Sequence, residues 1–270
     1  MTQHRSFTID EAVSPILAQL ADGLRSVLRE RLVGVYLYGS LITGDFAPGI
    51  SDIDLVVVMT TALDSTKFNA LHKLHQSVVE RHPDWYDRLE LAYISGAALR
   101  TFRHQTSTIG IISPGEPFHL LEAGSDWLIS WYALRKDGVA LLGPPIQSLI
   151  DDIPTHEYLQ AVGEHICHYR DSVKKPQNKQ ALSYIVLTVA RGLYTLAHGK
   201  PTSKVKAAAW ATQRYPQWAE LLESALRWRA NPHCDLRTAE QIRPEVADFV
   251  NDMLSKLSQL DSSPAERDRS

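Results

Sequence analysis

The sequence predicts an α+β fold in two domains, an N-terminal domain with a small mixed sheet at residues 1–150 and an all-α helical domain at residues 151–260. Three observations carry the prediction. Apolar runs of strand length near residues 33–38, 53–59 and 89–94 bracket a helical pattern at 66–81. Beyond Pro144-Pro145 the apolar spacing is helical throughout, and strand signals followed by helix signals are the mark of an α+β domain joined to a helical one. At 270 residues and 44% hydrophobic content, the chain exceeds a typical domain and supplies apolar surface for two cores.

In chain order, Thr8-Ile9-Asp10-Glu11 has the form of a capping box. Val13, Ile16, Leu17, Leu20, Leu24, Val27 and Leu28 follow at helical spacing, which gives an amphipathic helix to pack on the sheet. Val33 to Tyr38 is apolar and β-branched enough for a buried strand, and Gly39-Ser40 ends it abruptly. Gly44, Asp45, Pro48 and Gly49 are turn formers in the next connection, so the flanking strands can lie side by side. Asp52 to Val58 is the second strand; it is apolar at every position after Asp54, as a central strand is. Arg88 to Ile94 is the third, and residues 95–130 read as a loop region of weaker signal. Helices follow at about 155–171, 180–198, 203–214, 216–228 and 241–259. The tail 261–270 has no apolar residue larger than Ala or Pro and reads as disordered.

The chemistry concentrates in the first two strands. Side chains alternate along a strand, so Asp52 and Asp54 point the same way while Ile53 points into the core. Two adjacent carboxylates repel unless a cation sits between them, and hard oxygen ligands suit Mg²⁺. Gly39 lets a phosphate approach the backbone without a clashing Cβ, and Ser40 offers it a hydroxyl and an amide. Ser51 adds a second hydroxyl beside the acids. No Gly-Lys-Ser/Thr follows, so this is not a Walker loop. Glu90, inside the third strand, is a metal ligand, a general base or a water-facing acid; beside the aspartate pair, a functional role is the stronger reading.

These residues resemble the bacterial aminoglycoside nucleotidyltransferases of the streptomycin/spectinomycin adenylyltransferase type, within the DNA polymerase β-like nucleotidyltransferase superfamily. The Gly-Ser and Asp-x-Asp elements mark the superfamily. Val186-Leu187-Thr188-Val189-Ala190-Arg191, Tyr194, His198-Gly199-Lys200, Ser203-Lys204 and Ala208-Ala209-Trp210-Ala211 resemble the helical domain of the narrower family, and Val139 to Pro144 the segment that closes its first domain. The resemblance implies that Asp52 and Asp54 carry two Mg²⁺ ions with ATP, and that Glu90 is the catalytic base. Gly39, Ser40 and Ser51 would meet the triphosphate, with Arg191 and Lys204 supplying positive charge from the second domain and Trp228 lying by the nucleotide. It further implies an active site in a cleft completed by domain closure. The activity implied is transfer of AMP from ATP to a hydroxyl of an aminoglycoside or aminocyclitol antibiotic; a non-antibiotic metabolite or a protein as acceptor, or non-catalytic nucleotide binding, are the alternatives. The chain departs from the family at 172–181, which is lysine-rich and has no carboxylate where the family holds a cationic antibiotic with an acidic, Trp-containing segment.

Composition narrows the partners. A net charge of −3 and a pI near 6.4 leave no basic footprint for a duplex or long RNA. The two cysteines, Cys167 and Cys234, form neither a disulfide framework nor a Cys-x-x-Cys site. No apolar run of membrane-spanning length appears, and Met1 to Ser6 lack a signal-peptide core, so the expectation is a cytoplasmic protein with no membrane partner. The sequence leaves the oligomeric state open, with a monomer favoured. His165 and His168 share a helical face but lack further ligands nearby; Trp127, Trp131 and Tyr132 read as helix packing; Phe118 and His119 fall in the weak loop region.

Overall fold

The computed structural model describes residues 13–175, 178–234 and 236–257. The Thr8 to Glu11 capping box and the 261–270 tail lie outside the described residues. The chain is α+β and divides into two compact units between Asp152 and Ile153.

The first unit is built on a six-stranded mixed sheet in the order β5-β4-β3-β2-β1-β6. Its elements run α1 (Ser14–Leu28), β1 (Leu32–Tyr38), α2 (Ser40–Thr43), β2 (Ile53–Met59), α3 (Ser65–Arg81), β3 (Leu89–Ser95), α4 (Gly96–Thr101), β4 (Ser107–Ser113), β5 (Glu116–Ala123), α5 (Leu128–Asp137) and β6 (Val139–Leu142). Only β2 and β3 pair in parallel; every other ladder is antiparallel. α1 buries Ile16, Leu17, Leu20, Leu24 and Leu28, the face that its spacing predicts, and carries a proline in its first turn. Asp64 caps α3 by accepting from the Lys67 N–H at 2.8 Å and also pairs with Arg31 at 2.6 Å, fixing where α3 starts.

Residues 95–130 are not a loop region. They fold into α4, β4 and β5, and Phe118 and His119 lie on β5. β5 is the sheet's edge, where Pro117, Glu116 and Glu122 are tolerated because that side needs no partner strand. The polar residues that make an edge strand safe also erase its sequence signal.

Alternation sorts the sheet's two faces. Val35, Leu37, Ile53, Leu55, Val57, Leu89, Leu91 and Tyr93 form one core with α1 and α3. Tyr36, Tyr38, Asp54, Val56 and Glu90 take the opposite face by parity and register. Trp131 of α5 is fully buried and stacks with Trp127 at 5.4 Å, so that aromatic group packs as predicted.

The second unit is helical: α6 (Thr155–Cys167), α7 (Tyr169–Ser172), α8 (Lys179–His198), α9 (Lys204–Arg214), α10 (Ala219–Ala230) and α11 (Ala239–Ser255). The single helix expected at 155–171 is broken at His168. α8 is the hub, packed by α6, α9, α10 and α11. Asn178 caps its start and Gly199, at φ 67°, ends it in the left-handed conformation that glycine adopts without strain. Among the described residues no helix is long and apolar enough to cross a membrane.

Candidate active site

Three strands bring the predicted carboxylates together. The β1–β2 register sets Tyr38 opposite Asp54, and the β2–β3 register sets Asp54 beside Glu90. Tyr38, Asp54 and Glu90 therefore form one row across three adjacent strands, with side chains on a common face. Asp52 lies one step before the start of β2, two residues from Asp54. All three acids are half-buried.

The turn after β1 is shaped around Asp54. Gly39 has φ 71°, and a Cβ added there would strike the Asp54 carboxylate, whose Cγ would lie 2.7 Å away. Only glycine satisfies both the backbone angle and the contact. Ser40 opens α2 directly after it, while Gly39 O accepts from the Ile42 and Thr43 N–H groups. Ser51 is buried; its Oγ accepts from the Ala47 N–H at 3.0 Å and its own N–H donates to Ala47 O at 2.9 Å. Its hydroxyl thus braces the loop that delivers Asp52.

Two neighbours of the acids escaped the sequence reading. Arg88 stacks 4.4 Å over the Trp85 ring and donates to Ser51 O at 2.5 Å, while its own carbonyl accepts from the Ile53 N–H at 2.9 Å. It ties the start of the Glu90 strand to the start of the aspartate strand. The signal available was parity, since Arg88 is two residues before Glu90. Tyr38 is buried, and its hydroxyl is raised well above the usual tyrosine range, first by burial and then by the charges of Glu90 and Asp54. It stays protonated, as a donor beside two carboxylates.

The donor set fits Mg²⁺. Asp52 and Asp54 offer hard carboxylate oxygens two residues apart, and among the described residues no group of three or more His, Cys, Asp or Glu side chains forms a complete metal cage. A carboxylate pair completed by phosphate oxygens is how proteins usually hold Mg²⁺.

The second unit carries the remaining candidates. Arg191 on α8 is half-buried, and its charge, after burial, helps to lower the pKa of His165. Lys204, the first residue of α9, places its ammonium 4.7 Å over the Tyr184 ring. Trp228, which the resemblance places beside a nucleotide, is fully buried in the helical core. His165 and His168 are surface polar residues, the one meeting the Tyr169 hydroxyl at 3.2 Å and the other Glu164 O at 2.9 Å.

Comparison with known proteins finds likenesses in both units. The family model described as "Nucleotidyltransferase domain" matches residues 19–99, and that described as "Aminoglycoside adenylyltransferase, C-terminal domain" matches residues 148–256. Both units thus resemble the aminoglycoside nucleotidyltransferases. Among the relatives of the chain, the aminoglycoside (3'') (9) adenylyltransferase of Klebsiella pneumoniae is 27% identical over 219 residues, covering 76% of this chain and 80% of that protein. The spectinomycin 9-adenylyltransferase of Campylobacter jejuni is 24% identical over 251 residues, covering 86% and 92%. A crystal structure of spectinomycin adenyltransferase AAD(9) from Enterococcus faecialis, with ATP and spectinomycin, shares the fold at a TM-score of 0.73, with 19% identity, and covers 90% of this chain and 99% of that one. The protein is a nucleotidyltransferase.

Proposed function

We propose that the protein transfers AMP from ATP to a hydroxyl of a small acceptor of the aminoglycoside or aminocyclitol class, the class named for its relatives. The observation that carries the proposal is the pairing of Asp54 with Glu90 across β2 and β3, with Gly39 leaving room against the Asp54 carboxylate. Glu90 takes the proton of the acceptor hydroxyl. The acceptor oxygen then bonds to the α-phosphorus as the bond from that phosphorus to the bridging oxygen breaks, and pyrophosphate leaves. Mg²⁺, held by Asp52 and Asp54, supplies charge neutralisation on the triphosphate when bound. Gly39 and Ser40 face phosphate oxygens with backbone groups, Ser51 supports them from behind, and Arg191 and Lys204 contribute positive charge.

A second reading concerns the acceptor alone. Lys174, Lys175 and Lys179 crowd the start of α8, and neither α8 nor α9 contains an Asp or Glu. A polycation gains nothing from such a surface, which favours an acceptor of lower positive charge, such as a neutral metabolite.

Incubation with Mg²⁺ and ATP labelled at the α-phosphate, over a panel of streptomycin, spectinomycin, other aminoglycosides, neutral polyols and the protein itself, tests both readings. Labelling of streptomycin or spectinomycin establishes the first; labelling of neutral polyols alone establishes the second. Asp54→Asn is expected to abolish transfer with the far-UV spectrum unchanged. Substantial turnover by that variant would sink the metal assignment.

A further inference from the structure

The two aspartates of the site are held by different means. Asp54 stands within the sheet, opposite Tyr38 and beside Glu90. Asp52 precedes the β2–β3 ladder, whose first pair is Ile53 with Leu89. Its backbone is bracketed by a single residue. Arg88 donates through Nη2 to Ser51 O at 2.5 Å, and the Arg88 carbonyl accepts from the Ile53 N–H at 2.9 Å. Both chain neighbours of Asp52 are therefore bonded to Arg88. Arg88 is seated in turn: its guanidinium lies 4.4 Å over the Trp85 ring, and Nη1 donates to Asp84 O at 3.3 Å. The Phe46 ring stacks on Trp85 at 6.3 Å and 27°, and two Ala47–Ser51 hydrogen bonds close the turn that follows Phe46. The contacts make a closed circuit, from Phe46 to Trp85, Arg88 and Ser51 and back through Ala47. Trp85 is buried and Phe46 packs against the same core, so the circuit is fastened to the body of the unit. The Nε–H of Arg88 is buried without a partner among the described residues. An apolar side chain would cover Trp85 without that cost, so packing alone does not account for a guanidinium here.

We propose that Arg88, seated on Trp85 and Phe46, is a positioning residue for Asp52: the clamp sets where the Asp52 carboxylate stands toward a divalent cation, while the sheet sets Asp54. The inference rests on the reading of Asp52 and Asp54 as metal ligands, and it names what holds the one that the ladder does not reach. It gives Arg88, Trp85 and Phe46 no bond to the metal. Groups that orient a metal ligand from behind are commonly worth about 10–100-fold in metal affinity.

Arg88→Met and Phe46→Leu, each alone and combined with Asp52→Asn in the full chain, form the test, with Mn²⁺ as the probe. Its binding is read from loss of the free-ion electron spin resonance signal, with an ATP analogue whose α and β phosphates are bridged by methylene, so that no turnover enters the measurement. Thermal melts of each variant confirm a cooperative fold. The expected result is that Arg88→Met weakens Mn²⁺ binding about 10-fold or more, and Phe46→Leu weakens it in the same direction by less. In the Asp52→Asn background both changes are expected to shift Mn²⁺ affinity by less than about 2-fold, because the ligand through which they act is gone. Wild-type Mn²⁺ affinity in either folded variant overturns the inference, by reducing the clamp to packing. Equal losses with and without Asp52 overturn it too, by moving the effect to another ligand. Wild-type protein that binds no Mn²⁺, or Asp52→Asn that binds it as wild type does, removes the metal assignment on which the inference rests.

Discussion

At the residue scale, what could be read from the sequence was whatever spacing encodes. Asp52 and Asp54 are two apart, so the period of a strand puts them on one face without any knowledge of neighbours. Arg88 and Tyr38 were missed because their importance lies in cross-strand register: one reaches Ser51 O and the other stands opposite Asp54, and neither pairing is local in sequence. Trp228 was placed by the resemblance alone, and burial in the helical core is what local spacing could not show for it. Gly39 is the residue where backbone and site meet. Gly39→Ala is expected to place a Cβ against the Asp54 carboxylate at a φ of 71°, so both strain and clash must be relieved by moving the acid. A destabilisation of about 1–3 kcal/mol in urea unfolding is expected with transfer activity falling by more than stability accounts for. An alanine variant with wild-type activity would mean that Asp54 need not lie where this turn places it. Arg88→Met keeps the aliphatic stem over Trp85 but removes the donor to Ser51 O, and is expected to raise the Mg²⁺ concentration needed for half-maximal rate. An unaltered Mg²⁺ titration would reduce Arg88 to a packing residue.

At the element scale, the strands that sit centrally announced themselves and the peripheral ones did not. β2 is apolar from Leu55 to Met59 and buried along that length, whereas β6 has four residues between Gly138 and Gly143 and β5 alternates exposed glutamates with a buried Phe118. Helix α8 was legible because its apolar positions run all round, as a hub helix requires. Its one buried serine shows how the hub is keyed: the Ser183 hydroxyl donates to Ala225 O on α10 at 2.7 Å. Ser183→Ala removes that donor and leaves a buried carbonyl short of a partner, with an expected loss of about 1–3 kcal/mol. Because α10 touches α8 through this bond, hydrogen exchange of the α10 amides should rise with it. A variant that is destabilised while α10 protection is unchanged would show that the bond does not couple the two helices.

At the scale of the whole molecule, stability must also follow pH, and the strongest lever is a histidine outside the site. His75 on α3 is buried, its Nε2 paired with the Tyr93 hydroxyl at 2.7 Å and its ring edge-on to Phe118, with Nδ1 unpaired among the described residues. Burial, reinforced by His72, lowers its pKa from 6.5 to about 3. The folded state therefore holds His75 neutral while the unfolded chain takes up a proton below 6.5, and protons bound by the unfolded state favour unfolding. Its contribution is fully present above pH 6.5 and is lost progressively as pH falls toward 3. From pH 7 to pH 5 the loss is about 2 kcal/mol, from about 1.5 pH units below the unfolded pKa at roughly 1.4 kcal/mol each. Asp64, Asp171 and Asp252, whose pKa values are lowered by their hydrogen bonds, weaken the fold only at more acidic pH, as those carboxylates protonate. Urea unfolding at pH 7 and pH 5 separates the histidine contributions from those of the carboxylates; His165, whose pKa is also lowered, shares the window, so the His75 part is read from its variant. His75→Gln, neutral at both values, is expected to lose most of the pH dependence while being less stable at pH 7. Equal slopes in wild type and variant would show that protonation of this buried pair does not govern acid stability.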